Sequence, residues 1–400
     1  MITGNIVARV RELSGILEPD LVRFVRDLVR TPSPSGNERA VAELVAAEMK
    51  SSGFDEVYVD KLGSVLGKIG SGPVKILYDA HMDTVEAMDP GSWSHPPLAA
   101  EVENGIIYGL GAVDDKGSLG AMVKAGAGLK SLGVSEQVTL YVAGAVGEEN
   151  CEGLATGRLL QETGIRPDYV LVAESSELQV KRGHKGRATI IVTVPGKAVH
   201  ASTPELGDNP LYKAGRFIET LSTMGPSLMY HDFLGRGTIA ATRVECVAAS
   251  INTVPELCRV YIDRRLTAGE DRERILSELG SIVPPGSTVE IMRFEGSAYT
   301  GARIVADEYF PSWFLPEDHE LVRAGSRAAA ALGLSPGVGR WAFSTDAAYT
   351  MGVAGIPTIG MGPGNPKHCH SKEDQVGVDE LVRANQFYTL LPLAVAGLLE

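Results

Sequence analysis

Three short, almost unbroken apolar runs constrain this chain more than any other feature. They occupy residues 74–80, 138–146 and 169–173. Runs of that length and apolarity suit strands buried on both faces, the habit of parallel strands in α/β proteins. Each run stops at groups that bind metals or move protons. Asp79, His81 and Asp83 close the first, Glu148 and Glu149 follow the second, and Glu174 follows the third. In open α/β sheets ligands sit beyond the carboxyl ends of the strands. Three runs ending in the same chemistry therefore mark a candidate site.

At 400 residues the chain exceeds one comfortable core, so two domains are expected. Its 44% hydrophobic and 22% charged content is that of an ordinary globular protein. A net charge of −13, without a dense basic cluster, argues against nucleic-acid binding. No run reaches membrane-spanning length. Residues 1–17 carry Arg9, Arg11 and Glu12, which excludes a signal-peptide reading. Cys151, Cys246, Cys258 and Cys369 are scattered, with no Cys-X-X-Cys pair, and read as reduced thiols of a cytoplasmic protein.

Taken in order, residues 21–30 and 38–52 show helical spacing on either side of the breaker Thr31-Pro-Ser-Pro-Ser-Gly. Ser35 and Glu38 have the spacing of a capping box. Short strands are expected at 57–60 and 64–69. A glycine-rich approach leads to the adjacent carboxylates Asp114 and Asp115, ahead of a helix of small residues. A single aspartate there would read as a helix cap, but a pair beside Lys116 is less usual. From about residue 182 the texture changes. Strands at 187–194, 238–246, 258–264 and 288–294, with helices at 209–223 and 272–279, suit a small α+β sandwich. The α/β texture then returns, with a helix at 320–332, a buried strand at 355–361 and a last helix at 378–399. Hence the expected organisation: a mixed-sheet α/β catalytic domain in two segments, 1–181 and 298–400, with an inserted α+β domain at 182–297.

His81, an aspartate of the 114–115 pair, an acid of the 148–149 pair, Glu174 and a late histidine form a mixed imidazole and carboxylate set. Such ligands suit borderline divalent ions. So many of them make room for two ions about 3.5–4 Å apart, bridged by a carboxylate. Of two adjacent glutamates, one can be a ligand and the other a general base. His184, His231 and His319 read as structural, as do Cys151, Cys369 and the loop carrying Trp93 and His95.

The motifs AHMDTV, GLGAVDDKGSLGAM, GEE, AES, GKAVHAS, NTVPELCRVYIDRR and HCHSKEDQV follow one another across nearly the whole chain. In them the chain resembles the dinuclear zinc amidohydrolases and exopeptidases that include acetylornithine deacetylase, succinyl-diaminopimelate desuccinylase, carboxypeptidase G and carnosinase. The resemblance implies a ferredoxin-like lid and dimerisation domain inserted into a zinc-hydrolase domain. It also implies hydrolysis of the amide bond of a small N-acyl amino acid or dipeptide-like substrate. His81, Asp114, Glu149, Glu174 and His370 would be ligands to two divalent ions, with zinc as the expected metal and cobalt or manganese as alternatives. Asp114 would bridge, Glu148 would be the base, and Asp83 would hold His81 in its tautomer. His200 would stabilise the oxyanion, in that family commonly from the other subunit of a homodimer. Asn252 and Arg265 match positions that meet the substrate carboxylate or oxyanion.

His368 competes with His370 as the last ligand, although the spacing to Glu373-Asp374 favours His370. Arg264 competes with Arg265, and strand alternation sends the two to opposite faces. A dipeptidase or carboxypeptidase is the alternative within the class. A noncatalytic metal-binding or scaffold protein is the alternative outside it.

Overall fold

Apolar runs with few polar interruptions can be satisfied only by stacking between other strands, and they form the centre of the larger sheet. The computed structural model describes residues 6–334 and 337–399. The outer ends of the two expected catalytic segments, at residues 1 and 400, lie outside the described residues. Among the described residues the sheet has nine strands. Their spatial order is Glu56–Val59, Val65–Ile69, Val138–Ala145, Val74–His81, Tyr169–Val172, Thr358–Gly360, Val180–His184 and Trp313–Phe314, with Val338–Trp341 also paired to Val180–His184. The central four, from Val138–Ala145 to Thr358–Gly360, run parallel. Their carboxyl ends therefore open on one side.

The helix Gly117–Ser131 packs against Ile6–Arg30 and Val378–Val395. Small residues permit the approach: a Cβ on Gly120 would lie 2.5 Å from a Val25 methyl. This packing fixes the helix, and so the residues just before it, relative to the sheet.

The second core is built on a separate antiparallel sheet, ordered Thr238–Val247, Leu257–Leu266, Gly186–Pro195 and Thr288–Ile291, with Tyr309–Phe310 paired to Gly186–Pro195. Alternation puts Ala188, Ile190, Val192 and Val194 inward with Val260 and Ile262. They meet Phe217 and Leu221 of the helix Pro210–Ser222, and Ile275 and Leu279 of the helix Arg272–Gly280.

Several local expectations are corrected. The first helix runs Ile6–Arg30, because Ile6, Val10 and Ser14 extend its buried stripe back from Leu21. Ser35 and Glu38 make no capping box: Ser35 Oγ donates to Asp83, and Glu38 itself caps Arg39–Ser51 without a side-chain bond. The late strand shrinks to Thr358–Gly360, and the strand expected at 288–294 breaks at Met292 into Thr288–Ile291 and Arg293–Ser297. The four cysteines carry free thiols, although Cys246 and Cys258 face each other across the ladder at 3.2 Å.

Candidate metal centre

His81 is the last residue of Val74–His81, and pairing aligns it with Ala145, the last of the neighbouring strand. Glu148 and Glu149 follow three and four residues further on, and Glu174 follows Tyr169–Val172. The three acidic strand ends thus meet in space. Asp114 and Asp115 come from a non-helical stretch just before Gly117–Ser131 and are joined by a cis peptide bond. The loop after Thr358–Gly360 supplies His370.

Asp114 sits between the two histidines. Its Oδ1 lies 2.9 Å from His81 Nε2, and its Oδ2 lies 3.4 Å from His370 Nε2. His370 Nε2 also lies 2.9 Å from Glu149, and His81 Nε2 lies 3.9 Å from Glu174. His368 turns away towards Gln375, so only His370 of the late pair reaches the cluster. Donor atoms of His81, Asp114 and Glu149 all fall within 4.8 Å of one another, as do those of His81, Asp115 and Glu174.

The electrostatics of this volume are lopsided. Burial pushes the Glu148 and Glu174 carboxyls well above the usual carboxylate range, and for Glu174 the neighbouring Asp115 and Asp114 add to the rise. Burial would raise Asp114 too, but hydrogen bonds with His370 and His81 hold it far below. The same contacts, with Asp114 and Glu149, lift His370 to about 10. Among the described residues both carboxylate oxygens of Asp115 are buried without a hydrogen-bond partner. Five carboxylates beside two imidazoles are unbalanced unless positive charge is added. The donor types match borderline divalent ions, so the residues present fit a metal centre.

Asp83 does more than hold an imidazole. His81 Nδ1 is 2.9 Å from the Asp83 backbone carbonyl and 3.6 Å from its carboxylate. The carboxylate instead accepts the backbone N–H groups of Glu148 and Glu149, at 3.1 and 3.2 Å, and the Ser35 hydroxyl at 2.6 Å. It braces the loop that carries both glutamates.

Two supports were not foreseen. Asp374 accepts the N–H groups of Gly111 and Val113 at 2.6 and 2.9 Å, fixing the approach to Asp114. Asp346 accepts the Gly153 N–H and shares Thr156 Oγ with Asp79. A cleft of about 350 Å³ opens over the centre, walled by Arg265, Arg187, Glu152, Phe343 and Ser344. Arg265 lines this cleft, whereas Arg264 is buried in the second core against Glu270 and Glu278. His200 and Asn252 are exposed near the two-stranded ladder of Val199–His200 with Thr253–Val254, and neither lines the cleft of their own chain.

A mixed sheet whose parallel strand ends converge on buried imidazoles and carboxylates, beneath a cleft walled by a second unit, defines a metal-dependent hydrolase of amide bonds. The chain belongs to peptidase family M20/M25/M40, whose family model matches residues 77–394. The Escherichia coli (strain K12) protein YgeY is 37% identical over 381 residues, 94% of each chain. Human carnosine dipeptidase 1 shares the fold with a TM-score of 0.72 at 14% identity, over 98% of this chain and 99% of that one. So does the Bacillus subtilis YXEP protein, a dinuclear metal-binding peptidase of the M20 family. It gives a TM-score of 0.69 at 17% identity over 96% of this chain and 99% of that one.

Proposed function

We propose that this chain hydrolyses the amide bond of a small N-acyl amino acid or dipeptide-like substrate at a centre of two divalent ions. The observation that carries the reading is Asp114, one carboxylate with an oxygen towards each of two histidines. That is the disposition of a bridging ligand. His81 with Glu174 would hold one ion, and His370 with Glu149 the other. Zinc is the expected metal, with cobalt or manganese as alternatives. When bound, the ions would polarise the substrate carbonyl and make a shared water more acidic.

The remaining work falls to side chains. Glu148 is buried beside the cluster, with no imidazole on its carboxylate, and is the base: it takes a proton and delivers it to the departing amine. Arg265 receives the substrate carboxylate. His200 and Asn252 act from the partner subunit of a homodimer, which accounts for their exposure here. We read the chain as cytoplasmic, with the lid and dimerisation unit at 182–297 inserted between catalytic segments 1–181 and 298–400. Among the described residues, no helix is long and apolar enough to cross a membrane.

The test is a screen. Protein loaded with zinc, manganese or cobalt is offered N-acetyl-L-methionine, glycyl-L-leucine and N-carbamoyl-L-alanine, and amine release is measured. Turnover of one class assigns the chemistry. Metal-loaded protein that turns over none of them would return the scaffold reading and overturn this one.

A further inference from the structure

The wall of the cleft contains a salt bridge that the reaction scheme above does not use. Arg187 stands at the start of Gly186–Pro195, where the second sheet leaves the catalytic sheet. Its Nε and one terminal nitrogen grip both oxygens of Glu152, at 2.7 and 2.8 Å, in the planar fork that guanidinium and carboxylate make best. Both side chains are mostly buried, at 18% and 9% exposure. The guanidinium also lies 4.7 Å over the Phe310 ring and 3.8 Å from Glu308. Its position is therefore set on several sides.

Each end of the pair is tied to a group that the reaction needs. Glu152 lies three residues after Glu149, in the loop braced by Asp83. Arg187 is the cross-strand partner of Arg265, so the two side chains leave the same face of the sheet about 5 Å apart at Cβ. We propose that the Arg187–Glu152 pair is a positioning device that sets the distance from Arg265 to Glu148, and so places the scissile amide of a carboxylate-bearing substrate against the base. It rests on the reading that Arg265 receives the substrate carboxylate. Arg187 does not bind the substrate itself, because its fork is already occupied by Glu152.

The experiment is a double-mutant cycle on metal-loaded protein with Arg187→Met, Glu152→Gln and the double variant. The probes are N-acetyl-L-methionine or glycyl-L-leucine, whichever is turned over, and the carboxamide of the same compound, which offers Arg265 no carboxylate. Metal content is measured alongside. A positioning pair predicts that both single variants lower kcat/KM for the carboxylate probe by about tenfold, within the hundredfold that a misplacement of 1 Å can cost. The double variant falls no further, because the two side chains act as one unit. The carboxamide loses less than about threefold, and Arg187→Lys recovers part of the loss. Opposite effects, with Glu152→Gln improving KM while Arg187→Met worsens it, would mean that Arg187 binds substrate directly and would overturn the proposal. So would equal losses on both probes, the mark of a merely structural role. Arg265→Gln, run in parallel, separates the two readings. If it leaves the preference for carboxylate over carboxamide intact, the substrate contact itself is wrong. If it abolishes that preference while the pair variants keep it, only the positioning role fails.

Discussion

Replacing Asp83 with asparagine separates two roles that the sequence merges. The bond that orients His81 comes from the Asp83 backbone carbonyl, and an asparagine keeps it. The carboxylate is used elsewhere, on the N–H groups of Glu148 and Glu149 and on the Ser35 hydroxyl. An amide has one accepting oxygen and one donating nitrogen. Whichever way it turns, its NH₂ faces at least one of those two backbone N–H groups. A buried donor left without an acceptor costs roughly 1–3 kcal/mol, and the surviving bonds lose their charge assistance, roughly half their strength. The sum is roughly 2–4 kcal/mol. If all of it fell on the barrier, the rate would drop by a factor of roughly 30 to 900. The expected result for Asp83→Asn is near-normal metal content by elemental analysis, with a kcat loss inside that range at saturating metal. Metal loss with kcat restored by excess metal would refute the reasoning. It would show that the carboxylate serves the histidine and not the loop.

Four further outcomes follow from the same geometry. Glu148→Gln should keep both ions and lose roughly 10²–10⁴-fold in kcat, whereas Glu149→Gln should shed metal first and regain part of its rate in excess metal; the reverse pattern would exchange the two roles. Chelator should abolish activity, and His370→Ala should lower metal content while His368→Ala should not, since only His370 reaches Asp114 and Glu149. Mixing inactive His200→Ala and Glu148→Ala proteins should restore some turnover after verified subunit exchange, and no recovery would count against a shared site. The last concerns His184, which burial holds down at about 3, with Nδ1 accepting the Thr345 N–H. Its folded pKa lies below the unfolded value of about 6.5, so its stabilising effect is complete above that pH. The effect is lost as pH falls towards 3, by up to ~1.4 kcal/mol per pH unit; wild-type and His184→Gln unfolding curves should converge over that window, and a constant gap would refute the assignment.

The strand ends were legible in the sequence because burial on both faces leaves few polar residues within a run, so His81, Glu148 and Glu174 stand out where the runs stop. Arg265 could be told from Arg264 only in part. Alternation says that the two part company, but which face holds the cleft depends on where the second sheet docks. Asp346 and Asp374 were invisible as supports for a plain reason. Each accepts backbone N–H groups from a loop far away in sequence, Gly153 for one and Gly111 with Val113 for the other, and such bonds leave no periodic trace. The Arg187–Glu152 pair is hidden in the same way, by a register that no local pattern fixes. The capping box failed because the helix begins only at Arg39, with Glu38 in the N-cap position, so Ser35 lies ahead of the cap and gives its proton to Asp83 in a hydrogen bond.

The place of Thr358–Gly360 in the sheet has a consequence for biosynthesis. Tyr169–Val172 and Val180–His184 are consecutive in the chain, yet a late strand lies between them. Until Thr358–Gly360 leaves the ribosome, that slot stands open and two strands present bare edges, a hazard for sticking to other nascent chains. The second core, whose sheet is complete by about residue 310, can fold before the slot is filled. His370 arrives just behind the strand that fills it, so a nascent chain acquires all the proposed ligands only as its sheet closes. Metal occupancy would then report that the sheet has closed.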